Sequence, residues 1–148
     1  LAPLAGGTAW GGAGADLLTA YNAAGFVVTL DGGSVSDSLD GFLAAGSVHF
    51  VINLADATAA ADTINSFAAV FSADDDKLVL TGFGMAVVNN VRNDAAANAA
   101  ITGNPHELIY RQDTNQLWDD ADGEVLIALF NDTAGFGDLL LAGDFLLA

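Results

Sequence analysis

Gly11-Gly12-Ala13-Gly14-Ala15-Asp16-Leu17-Leu18-Thr19 carries the residue types and spacing of an all-oxygen metal site. The stretch fits the nine-residue pattern G-G-x-G-x-D-x-U-x, with Leu18 at the apolar position. Glycine reaches backbone conformations closed to other residues, so carbonyls can turn outward, and Asp16 adds a charged oxygen. Calcium takes such oxygen shells. Gly12, Gly14 and Asp16 are therefore candidate ligands, and Leu18 starts a strand pointing into a core. A plain glycine/aspartate turn between two strands is the alternative reading.

Gly32-Gly33-Ser34-Val35-Ser36-Asp37-Ser38-Leu39-Asp40 repeats the leading glycines, the aspartate and the apolar position, and puts Val35 where the third glycine stood. Asp37 joins the candidate ligands. The two windows start 21 residues apart, a spacing also seen between Asp16 and Asp37. That interval is not a multiple of nine, which argues against neighbouring coils of an unbroken array. A lone complete turn offers half a site.

Composition narrows the function classes. Three cations (Lys77, Arg92, Arg111) face 19 anions, and the formal net charge is −16 on 148 residues. Nearly all the anions are Asp, a poor helix former but a good turn residue and chelator. Nucleic-acid binding needs Lys and Arg, so it is excluded as a partner. The same charge opposes anionic membranes, and no apolar run is long enough to cross a bilayer. Apolar residues make up 53% of the chain, so it folds around a core rather than staying disordered. An excess of apolar residues beside so much charge also fits burial against further copies of the chain. There is no cysteine, hence no disulfide and no thiolate metal site. Leu1–Gly7 has no basic region and no long apolar stretch, and residue 1 reads as a processing or fragment boundary.

The elements that must position these residues are mostly strands. Val48, Phe50, Ile52 and Leu54 alternate with His49, Val51 and Asn53, a half-buried strand over Ser47–Leu54. Lys77–Thr81 is a strand between an acidic turn and Gly82. Leu108–Arg111 and Gln116–Trp118 form a hairpin around Gln112–Asn115. Val125–Phe130 is a further strand, and Asp144–Leu147 ends the chain. Asp56–Phe71 is ambiguous between helix and strand, and Met85–Ile101 is the best helix candidate. The expected fold is mainly β, a degenerate calcium-binding roll or sandwich with a C-terminal meander and one or two short helices. It forms a single domain over 1–148, with a glycine-rich part over 1–60 and a cap over 61–148.

The later part of the chain resembles the ending of RTX (repeats-in-toxin) proteins. Asp62-Thr63-Ile64-Asn65-Ser66-Phe67 followed by Asp76-Lys77-Leu78-Val79-Leu80 is similar to the family's D-T-I-x-D-F, gap, D-K-x-x-L order. Leu108-Ile109-Tyr110, Asp120-Ala121-Asp122-Gly123, Ile127-Ala128-Leu129 and the final Asp144-Phe145 also match. Asn65-Ser66 departs from the family's polar-residue-then-Asp order, Trp118-Asp119 replaces its aromatic pair, and Met85–Pro105 has no counterpart. The resemblance covers roughly residues 62–148 and the turn at Gly11. It implies secretion through a type I apparatus that reads the uncleaved C-terminal end.

Asp74-Asp75-Asp76 and Asp119-Asp120-Ala121-Asp122-Gly123-Glu124 concentrate like charges that a cation or solvent must separate. Asp62, Asp74, Asp75, Asp76, Asp120 and Asp122 complete the candidate calcium ligands. An EF-hand is ruled out because Asn131 stands where its bidentate Glu belongs. His49 and His106 lack the spacing of a zinc site, and with Tyr110 they form only a remote haem-ligand set. No nucleophile elbow, zincin motif or P-loop occurs, so the chain reads as non-enzymatic. The expectation is a secreted, extracellular or cell-surface, calcium-binding module. It exports itself by a C-terminal signal and self-assembles as a homo-oligomeric surface-layer, filament or matrix subunit. The alternatives are a binding module (adhesin tip, haem or ligand capture) and the end of a larger secreted enzyme.

Overall fold

Alternation of apolar and small polar residues over short runs gives strands that bury one face each, and these strands stack in parallel. The computed structural model describes residues 6–41, 46–57, 60–67, 76–83, 87–91, 107–119, 125–131 and 144–148. Twelve strands and one short helix lie among them. They are β1 (Gly7–Ala13), β2 (Leu17–Thr19), β3 (Val27–Ser34), β4 (Ser38–Asp40), β5 (Ser47–Asn53), α1 (Leu54–Ala57), β6 (Asp62–Asn65) and β7 (Lys77–Thr81). β8 (Val87–Val91), β9 (Glu107–Arg111), β10 (Gln116–Asp119), β11 (Val125–Phe130) and β12 (Phe145–Leu147) follow.

The chain coils between two sheets. One sheet runs β1-β3-β5-β7-β12, and the other runs β2-β4-β6-β11-β10-β9-β8. The first sheet is parallel throughout, as are β2, β4, β6 and β11. β11, β10 and β9 then form the antiparallel meander, with the β9–β10 hairpin where the sequence puts it. The fold is mainly β, as expected.

Register explains why these strands sit where they do. Leu30, Phe50 and Leu78 align on successive strands of the first sheet, and Leu18, Leu39, Ile64 and Phe130 align on the second. Slipping any strand by one residue would turn its apolar set outward. Between the sheets, Phe67 packs on Phe50 and Phe130 at ring-centroid distances of 5.7 and 5.6 Å, and Phe130 meets Tyr110 at 5.8 Å. One aromatic chain thus ties the glycine-rich coils to the meander. The core runs without a break from Val28 to Phe130.

Three expectations need correction. The two glycine windows are neighbouring coils after all, since Gly12 pairs with Gly33 and Leu18 with Leu39. The coil simply carries extra residues in its β2–β3 turn, so a 21-residue step replaces two nine-residue units. Met85–Ile101 is not a helix over 87–91, where β8 pairs with β9. Three valines in five residues favour the extended backbone there, and the remainder of that segment lies outside the described residues. Asp56–Phe71 holds both elements within its described residues, the last two residues of α1 and then β6. Leu54 leaves the strand expected for it and begins α1.

The enlarged turn is held by Asn22, which is buried. Its Nδ2 donates to the carbonyls of Phe26 and Ser47, each at 3.0 Å, and its Oδ1 accepts the Gly46 N–H at 3.0 Å. The side chain thereby bridges two coils using both ends of its amide. Asn22→Ala strands these backbone groups, and should cost about 2–4 kcal/mol. Urea denaturation checks this. A loss below about 1 kcal/mol would show that water replaces the amide.

Candidate cation site

On one side of the coils, each turn delivers an aspartate to the start of its next strand. Asp16 precedes β2, Asp37 precedes β4 and Asp62 opens β6. They form a ladder. The Asp16 N–H donates to Asp37 Oδ1 at 2.7 Å, and the Asp37 N–H donates to Asp62 Oδ1 at 2.9 Å. The main chain interleaves with it, as Ser38 N–H donates to the Asp16 carbonyl and Thr63 N–H to the Asp37 carbonyl. Each carboxylate therefore fixes the turn of the coil before it.

Glycine is what lets these side chains point inward. A β-carbon on Gly32 would lie 2.3 Å from Asp37 Oδ2, and one on Gly11 would lie 2.9 Å from Asp16 Oδ2. Each aspartate folds back over the bare α-carbon five residues before it. Gly33, at φ +92°, stacks so closely on Gly12 that a side chain would meet the Gly12 carbonyl. Gly12 and Gly14 take φ values of +98° and +115°, which only glycine adopts freely. Gly11 and Gly32 thus clear room for carboxylates, while Gly12, Gly14 and Gly33 serve the backbone path of the turns.

The second oxygens make the site chemically active. Oδ2 of Asp16 and Oδ2 of Asp37 are buried and have no hydrogen-bond partner. Asp37 is only 3% exposed. A buried carboxylate oxygen without a donor is costly, and a proton or a cation relieves it. At Asp62 the strain shows in its acidity. Burial, then the charges of Asp37, Asp31 and Asp56, push its pKa up to about 6 against the hydrogen bond from Asp37.

The remaining candidates divide. Asp76 is buried on a different turn, where its Oδ1 accepts the Val48 N–H at 2.7 Å. It is a separate turn clamp, remote from the ladder in register. Asp74, Asp75, Asp120 and Asp122 lie outside the described residues, as does His106. His49 pairs in register with Lys77. Burial and the Lys77 charge lower its pKa. Tyr110 is fully buried, its hydroxyl donates to Asn115 Oδ1 at 3.3 Å, and burial pushes its pKa up to about 12. Tyr110 is thus a core residue rather than a surface haem ligand.

Among the described residues, no three acidic or histidine side chains converge as a ready-made cage. Any cation at the ladder must draw on backbone carbonyls of the glycine turns as well. Sequence reasoning found Asp16, Asp37 and Asp62 but missed that they form one stack. The signal was present: Gly11 precedes Asp16, and Gly32 precedes Asp37, by the same interval. Comparison with family models, curated proteins and solved structures returns no match for this chain.

The raised pKa of Asp62 has a definite consequence for stability. A carboxylate whose folded pKa lies above its unfolded value of 3.8 favours folding below that value and loses this as pH rises through about 6. In calcium-free buffer, Asp62→Asn should therefore melt above the parent protein at pH 7. The two melting temperatures should converge as pH falls toward 4, because Asn keeps the acceptor for Asp37 N–H without the charge. A constant offset across that range would remove Asp62 titration from the account.

Proposed function

We propose that this chain is a non-enzymatic, secreted calcium-binding module of RTX type, exported through a type I apparatus by its C-terminal end. The observation that carries the reading is the donor-less, buried Oδ2 of Asp37 in a stack of aspartates. Asp16, Asp37 and the carbonyls of the Gly12 and Gly14 turn would hold the ion, and Asp62 sits at the next rung. The donor set is all oxygen and mixes carboxylate with carbonyl, which suits calcium better than a softer metal. Bound calcium supplies charge neutralisation and nothing more.

On this reading the chain is a folding switch. Coils that repel each other by their own carboxylates stay open where calcium is scarce and close where it is plentiful. An extracellular-type site of about 0.2 mM affinity, in about 2 mM calcium, stabilises by roughly 1.4 kcal/mol. The terminal segment takes part in the fold: β12 pairs with β7, Asp144 is fully buried and Ala148 N–H donates to the Leu80 carbonyl. An exporter that reads this end must meet it before the roll closes.

Self-assembly is the second reading, and one observation favours it. Among the described residues β1 and β2 are edge strands of the two sheets, and Trp10 and Leu17 on them are exposed. Open edges of parallel strands are ready templates for another chain. Light scattering that rises in calcium and reverses with chelator supports assembly, whereas a monomer at high concentration removes it.

The calcium reading is tested by melting. Calcium at a few millimolar should raise the melting temperature, magnesium at equal concentration should raise it far less, and Asp37→Asn should lose most of the calcium increment. An unchanged melting temperature in excess chelator contradicts the reading.

A further inference from the structure

The outer surface of the first sheet carries a groove that the ladder does not use. It encloses about 480 Å³ between Trp10, Asp31, Asn53 and Asp56, over the backbone of Gly12 and Gly33. Trp10 is 73% exposed, the most exposed large apolar side chain among the described residues. In register its neighbour on β3 is Asp31. An indole therefore stands beside a carboxylate on a flat strand face.

Two polar side chains in the groove are already held in place. Asp31 Oδ1 accepts the Gly33 N–H at 3.1 Å, which fixes the carboxylate by its own turn. Asn53 Oδ1 accepts the Ala55 N–H at 3.0 Å, at the entry to α1, the helix that carries Asp56. A side chain at position 12 would have open space around it, so the glycine there leaves the floor clear. Acceptors outnumber donors, and both titratable groups are anionic. Over the whole chain 19 anions face three cations, a net charge of −16, so the potential over the groove is negative.

We propose that this groove binds an organic ammonium group, with the positive charge over the Trp10 indole and beside the Asp31 and Asp56 carboxylates. A tryptophan face attracts a cation through its ring quadrupole, and an adjacent carboxylate adds direct charge pairing. The molecule already uses the same pairing internally, with the Arg111 guanidinium 4.4 Å from the Trp118 ring centre. The apolar indole wall suits an alkylated nitrogen better than a hydrated metal ion. The volume fits a small ligand or the head of a larger one.

The test is an NMR titration of the full chain with choline chloride in saturating calcium, following the two indole N–H signals. The Trp10 signal should move while the Trp118 signal stays. Trp10→Ala should weaken binding at least about tenfold, Trp10→Phe by less, and Asp31→Asn about threefold or more. The uncharged carbon isostere of choline should bind at least about tenfold more weakly than choline itself. Equal binding of that isostere would make the groove an apolar patch and overturn the proposal. Stronger binding of a neutral disaccharide, or loss of the choline shift as calcium is raised, would also overturn it. Trp10 is exposed, so its removal leaves the core intact, and Asp16, Asp37 and Asp62 do not line the groove.

Discussion

Carboxylates stacked on successive coils are the constraint on which this molecule turns. Strands in a sheet lie about 4.8 Å apart, so charges repeated at one register position repel by roughly 3.5 kcal/mol per neighbouring pair at an effective dielectric of about 20. Burial adds to that repulsion. Against it stands one backbone N–H per rung, donated by Asp16 to Asp37 and by Asp37 to Asp62. Those bonds use Oδ1 only. The unanswered oxygens of Asp16 and Asp37 leave the stack short of positive charge, and a proton or a cation must supply it.

Everything around the ladder is arranged to keep it in register. Gly11 and Gly32 give the side chains room, and the aligned row of Leu18, Leu39 and Ile64, each two residues after its aspartate, holds the coils in register. On another turn Asp76 clamps Val48, and in the enlarged β2–β3 turn Asn22 ties two coils with three bonds. The aromatic chain from Phe50 through Phe67 and Phe130 to Tyr110 then fastens the coils to the antiparallel meander. Stability thus comes from the core, while the turns concentrate the conflict that a ligand can resolve.

Much of this was readable in the residues. Alternation over Ser47–Asn53, the bounded run Lys77–Thr81 and the polar turn before Gln116 each placed a strand where it lies. The glycine–aspartate turns pointed to Asp16 and Asp37, and the motif beginning at Asp62 pointed to the third rung. Their stacking was hidden because coil length varies: the step is 21 residues from Asp16 to Asp37 and 25 from Asp37 to Asp62. Turns absorb such insertions without disturbing strand register, so a strict nine-residue period was the wrong test. β8 was misread for a similar reason, since alanine and asparagine around Val87–Val91 hid a strand whose partner lies many residues later. The Trp10 groove left no local signal because its walls come from β1, β3, β5 and α1.

The account rests on how the second oxygen of Asp37 is neutralised, and a crystal structure grown in calcium measures that directly. The account predicts an ion about 2.3–2.6 Å from Asp37 Oδ2, with glycine-turn carbonyls completing its shell and the Asp16 N–H bond to Asp37 Oδ1 retained. An Asp37 carboxylate that keeps the same backbone bond in millimolar calcium, with no ion against its second oxygen, would contradict it.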